Sequence, residues 1–270
     1  MALAPAARSG GPAPFARRSF LGAAGLALAA TLAACGRSSP VRSAGGPAGP
    51  LRIGAIPDQD PEMDRDLLQA VGAAAVDTVQ MSVLAVALAA GGALALAGVA
   101  ARPAGPVSAV RRASGLAVRL AFLLLRAVPP PVWTLVLLFV LLPGVLPGAL
   151  ALGVYTLGVL GRLVAEAAEE SDPRPRDLLR AGGAPPAGAW LYATLPALGG
   201  PAVALSLYRW EVAVRDTVLV GLLGAGGLGV LLSGRISAFD WAAVTTVLTA
   251  TVLLTILVDL VSGRARAHLP

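Results

Sequence analysis

Residues 78–101 read Thr-Val-Gln-Met-Ser-Val-Leu-Ala-Val-Ala-Leu-Ala-Ala-Gly-Gly-Ala-Leu-Ala-Leu-Ala-Gly-Val-Ala-Ala, without one charged side chain. As an α-helix this stretch is about 36 Å long, enough to cross a hydrocarbon core of roughly 30 Å. The rest of the chain supports lipid as the solvent. Of its 270 residues, 56% are hydrophobic and 13% charged, whereas soluble domains carry about a quarter charged residues.

Further apolar runs follow the first. A second span is expected over residues 114–142, kinked at Pro129, Pro130 and Pro131, because proline removes a backbone donor. Residues 127–161 carry no charge and are too long for one crossing. The Pro143-Gly144 and Pro147-Gly148 pairs supply the turn before a third span, 147–164. A fourth is expected over 190–207 and a fifth over 241–261. Between them, residues 208–240 have charged flanks and a glycine-rich middle, expected to enter the membrane without crossing it. The expected fold is all-α, a polytopic membrane protein with about five transmembrane helices.

Net charge is +6, and every basic residue is arginine. The arginines lie between apolar runs and form no dense stripe, so they fit control of topology better than nucleic-acid binding. With the first span entering from outside, the inner loops hold Arg102, Arg111, Arg112, Arg162, Arg174, Arg176, Arg180, Arg264 and Arg266. The outer loops hold Arg209, Arg215 and Arg235. That asymmetry follows the positive-inside rule. One cysteine and one histidine (His268) cannot make a disulfide or a histidine-cysteine metal site, and a Ser-His-Asp set lacks support. No catalytic residues and no metal site are therefore expected.

The N-terminus divides differently. Residues 1–35 have the parts of an export signal: Arg17-Arg18-Ser19-Phe20-Leu21, an apolar stretch, then Leu32-Ala33-Ala34-Cys35. The paired arginines resemble a twin-arginine signal. The last four residues resemble a lipobox, which implies lipidation of Cys35. An uncleaved first anchor with an ordinary Cys35 thiol is the alternative. Residues 36–76 are expected to be linker, and residues 77–270 the membrane domain.

The densest charge falls at residues 166–180. A short helix is expected over 172–181, with Asp172 as N-cap, Pro173 at the first helical position, and Gly182 and Gly183 ending it. The sequence there runs Asp177-Leu178-Leu179, three residues, Gly183, nine residues, then Ala193-Thr194-Leu195-Pro196. This resembles the cytoplasmic "EAA" loop of ABC importer permeases in its spacing throughout. Gly183, Leu195 and Pro196 match in residue type. Asp177 stands for Glu, Leu178 and Leu179 for the two alanines, and Ala193 for Ile. A solvated connector is the plainer alternative.

Other stretches resemble the same family. Asp77-Thr78-Val79-Gln80 and Arg126-Ala127-Val128-Pro129 resemble elements of the first two core spans. Tyr208-Arg209-Trp210-Glu211 resembles a stretch of phosphonate-transporter permeases, and residues 221–229 the glycine-rich segment of methionine- and phosphonate-type permeases. Gly224-x-Gly226-x-x-Gly229 also fits a dinucleotide fingerprint, but the next acid, Asp240, comes too early. Helix packing through small residues is the better account.

The resemblance implies an importer-permease fold, a homodimer in the bacterial inner membrane, and an ABC ATPase subunit that hydrolyses ATP, with no cofactor of the permease's own. It further implies a periplasmic or lipid-anchored phosphonate-binding protein. Phosphite, phosphate and methionine remain open as cargo. Arg209, Glu211 and Arg215 are candidates for the entrance to the pathway, since guanidinium suits phosphonate oxygens, with ion pairing at the membrane edge as the alternative. Residues 51–62 resemble the start of a phosphonate-binding lipoprotein. A receptor's beginning joined to a permease's body is expected to be a fusion. A lipid-anchored binding fragment and a non-functional fusion are the rival readings.

Overall fold

The computed structural model describes residues 65–102 and 108–268. The expected signal, Cys35 and the receptor-like stretch lie outside them. The described residues are helical, with no strand among them.

Helix α1, Arg65–Ala100, contains the charge-free run and begins well before it. Residues 65–76, expected to be linker, are therefore helical. Their apolar side chains explain the extension: Leu67 and Val71 are buried against Leu228, Leu232, Val244 and Val247. The second expected span is two helices, α2 (Ala109–Ala127) and α3 (Pro130–Val140). They meet at 92°, so the prolines break the helix outright. Pro129 forces an extended Val128 and Pro130 an extended Pro129, and α3 restarts with prolines in its first turn.

Helix α4, Val145–Glu170, outruns its expected span at both ends and takes in Glu166, Glu169 and Glu170. It is followed by α5 (Arg174–Ala181), α6 (Pro186–Ala189), a π turn at Trp190–Thr194, and α7 (Leu195–Ala197). Then come α8 (Gly199–Val220), a second π turn at Gly221–Ala225, α9 (Gly227–Ser237) and α10 (Trp241–Ala267). Residues 208–220, expected outside the membrane, thus continue the fourth helix. α1, α4 and α10 are each long and apolar enough to cross a membrane, and the bent pairs α2–α3 and α6–α8 raise the count to five.

Packing fixes the directions. Met81 lies at Gly148 and Leu157 at Gly92, so α1 and α4 run parallel. The chain must cross back between them, and α2–α3 makes that pass. Leu198 and Ala202 pack with Val164 and Ala168, while Arg209 stacks on Tyr155; α8 therefore opposes α4. The Ser262 hydroxyl donates to Leu207 O, 3.3 Å away, and Val218 joins Ala250 and Leu254, so α10 opposes α8. Five alternating passes put α5 and the C-terminal end of α10 on one side. The arginine asymmetry makes that side the cytoplasm.

Small residues let these helices approach closely, as is usual in lipid. Ala89, Ala93 and Ala97 form the seam with Leu160, Val164 and Ala168. The glycine-rich segment turns at the outer ends. A Cβ on Gly221 would meet Gly226 O at 2.6 Å and Gly229 Cα at 2.8 Å. With no strand beside it, this segment is a packing turn. Thr78 pins it: its Oγ accepts from Leu228 N at 3.0 Å and donates to Ala74 O at 2.8 Å.

Candidate functional site: the cytoplasmic loop

Between α4 and α8 the chain builds a short helix that has almost nothing beneath it. Asp172 Oδ1 accepts from Arg174 N at 3.0 Å, the capping role expected of it, although the helix is assigned from Arg174 rather than Pro173. Asp177 lies in the first turn and Arg180 in the last, both favourable to the helix dipole. The end is a Schellman motif. Ala184 N donates to Leu179 O and Gly183 N to Arg180 O, each 3.0 Å. Gly183 has φ +86°, a conformation that side chains resist.

No residue of α5 is buried. Leu178 is 74% exposed and Leu179 38%. An isolated helix this short is marginal in water, and two leucines held open on it have no internal purpose. Asp177, Leu178 and Leu179 are thus all accessible around this helix, which Gly183 closes.

The loop's downstream arm is anchored. The Trp190 ring packs on Gly98 of α1, where an added Cβ would come within 2.9 Å of it. Thr194 and Leu198 are buried. Pro196 has no N–H to give, and the helix accommodates this with the π turn, in which Leu195 N reaches Trp190 O. Leu195 and Pro196 thus start α7, and the bent pair α6–α8 turns by 57° just beyond it, at Leu198. The upstream arm is tied as well. Glu169 accepts from Arg102 N at 2.9 Å and pairs with Arg119. Arg111 donates to Val99 O and Gly98 O at 2.7 Å, and Arg119 Nε to Ala100 O at 2.7 Å. These guanidinium groups cap the C-terminal end of α1. Both arms of the loop are thereby joined to the same end of α1.

Arg209, Glu211 and Arg215 do not lie in an outer loop; they lie within α8, the first two near its middle and Arg215 nearer its end. Arg209 is buried, with Cζ 5.5 Å from the centroid of Tyr155, and its neighbour Trp210 donates to Ser82 Oγ at 3.1 Å. Glu211 is buried 2.6 Å from Arg266 Nη2. Arg215 donates to both carboxylate oxygens of Asp259, at 2.8 and 3.1 Å. Asp216 interacts electrostatically with Arg209 and Arg215. The α8–α10 seam thus holds two ion pairs, Glu211–Arg266 and Arg215–Asp259, while Arg209 faces α4. Sequence reasoning missed Asp259, Arg266 and the tie at Glu169, because their partners are far along the chain and no local spacing announces them.

A short exposed helix on the cytoplasmic side, tied to a bundle of up to five membrane passes, is an architecture suited to the membrane subunit of a transporter. Residues 93–269 match the family described as binding-protein-dependent transport system inner membrane component, and the chain belongs to it. Over 193 residues it is 35% identical to the phosphite transport system permease protein PtxC of Stutzerimonas stutzeri, spanning 72% of this chain and 69% of that one. It is 38% identical over 119 residues to the putative cryptic phosphonate transport system permease protein PhnE2 of Escherichia coli, covering 44% of this chain and 98% of that one. It is also 35% identical over 162 residues to the phosphate-import permease protein PhnE of Mycolicibacterium smegmatis, covering 60% of this chain and 30% of that one.

The fold is that of the inward-facing MetNI methionine ABC transporter, with TM-score 0.66 at 18% identity over 77% of this chain and 100% of that chain. This protein is an ABC importer permease of the inner membrane, which works with an ATPase and a substrate-binding protein.

Proposed function

We propose that this permease imports a small phosphorus oxyanion, a phosphonate or its relatives phosphite and phosphate. The observation that carries the reading is the 35% identity to a phosphite permease over most of the chain. The permease makes and breaks no covalent bond and holds no cofactor. ATP is hydrolysed by the partner, which seats Asp177, Leu178 and Leu179 in a groove, with Gly183 fixing the loop's exit. Its closure moves α1 and α8 through Trp190, Leu195 and Pro196, and the passes rock to open the way inward. Two copies form the pathway, and a periplasmic or lipid-anchored receptor delivers the cargo.

Arg209, Glu211 and Arg215 belong to the pathway's interior in this reading rather than to its outer mouth. Arg215 and Asp259 support it: their side chains are 53% and 40% exposed within helices α8 and α10, where lipid would be a costly neighbour and water is not. Growth of the source cell on phosphite or a phosphonate as sole phosphorus source, with and without the gene, tests the proposal. Loss of growth that methionine restores would refute the cargo assignment.

A further inference from the structure

We infer that the cytoplasmic cavity between α2 and α4 holds the phosphodiester headgroup of an anionic phospholipid of the inner leaflet. The cavity has about 370 Å³ and is lined by Arg102, Arg119, Arg126, Arg162, Glu166 and Glu169, with Leu120, Phe122 and Leu123 as apolar walls. Four arginines against two glutamates leave a charge of +2. Arg119 is paired with Glu169 and Arg162 with Glu166. The side chains of Arg102 and Arg126 make no ion pair among the described residues. Two guanidinium groups are thus left facing a cavity of headgroup size, and planar donors suit phosphate oxygens.

Depth selects the ligand. Glu169 lies one residue before the end of α4, and Arg102 two residues beyond the end of α1, so the mouth is at the cytoplasmic ends of both helices. The cytoplasmic leaflet carries the anionic lipids, and basic pockets between membrane helices on that side take their headgroups. Along α2 the neighbouring Leu120, Leu123 and Leu124 are 49%, 47% and 67% exposed, a wall on which an acyl chain lies. Free phosphate would use the arginines but gain nothing from those leucines. The site is separate from the α8–α10 seam and independent of the cargo.

The test is native mass spectrometry of the intact transporter, released from vesicles of phosphatidylcholine mixed with phosphatidylglycerol. Retention of phosphatidylglycerol over phosphatidylcholine is expected. The Arg102→Gln/Arg126→Gln variant should lose roughly thirtyfold in that preference, two basic residues' worth at a membrane surface. Arg102→Lys/Arg126→Lys should keep most of it, and Arg112→Gln, outside the cavity, all of it. Equal retention of the two lipids by the wild type overturns the inference without need of a variant. So does an unchanged preference in the glutamine variant, or displacement of the lipid by inorganic phosphate, which would make the cavity a site for the free anion.

Discussion

Leu178→Ala should separate the lever from the fold. With Leu178 74% exposed and no residue of α5 buried, the isolated subunit should scarcely notice the change. Surface substitutions of this kind stay within about 0.5 kcal/mol. In the assembled transporter the same leucine would be covered by the ATPase. Fully burying a leucine contributes about 1.5–3 kcal/mol, and three quarters of that is roughly 1–2 kcal/mol. The loss from truncation converts to about a five- to thirtyfold weaker association for each loop. Co-purification with the ATPase across a concentration series would measure it, alongside thermal unfolding of the permease alone. The expected result is weakened assembly and lost cargo uptake at unchanged unfolding temperature. An equal drop in unfolding temperature, or full assembly with Leu178→Glu, would refute the lever.

Three more outcomes follow. Gly183→Val, at φ +86°, should cost about 1–2 kcal/mol locally and speed amide exchange across residues 174–184, with the membrane helices unaffected; unchanged exchange would remove the Schellman stop from the account. Thr78→Val should leave the buried Leu228 N–H without its acceptor and destabilise the protein by about 1–3 kcal/mol, whereas Thr78→Ser should hold within 1 kcal/mol in the same unfolding assay. Radiolabelled palmitate should enter the wild-type chain and not Cys35→Ala, and label on the variant would exclude lipidation at Cys35.

Much of this architecture was legible because lipid imposes a coarse rule that composition can report. Charge-free runs had to be helices, and arginine placement had to follow topology. The cap at Asp172 and the stop at Gly183 were also visible, since both depend on neighbours within a few residues. What was hidden depended on distant partners. Arg209 and Glu211 looked like loop residues because charge usually ends a span. They stay inside α8 because Tyr155, Arg266 and Asp216 answer them. The 92° break at α2–α3 was hidden similarly: prolines announce a bend but not its size, and the packing of α2 through Phe122 on Ala100 and Ala165 joins residues that no local spacing connects.

The weakness of α5 is itself informative about force transmission. A helix with its own buried face would be held by the bundle and would resist being pushed. Instead its stability comes from a cap and a C-terminal turn, local devices that keep it rigid without fixing its position. Its position is set at the ends, by Glu169 with Arg102 and Arg119 upstream and by Trp190 on Gly98 downstream. Both ties meet α1 at residues 98–102. In the proposed mechanism a displacement of the loop reaches α1 from two directions at once, and α8 through the bend at Leu198. On the proposed coupling, that convergence lets an eight-residue helix with no buried residue act on helices of thirty-six and twenty-two.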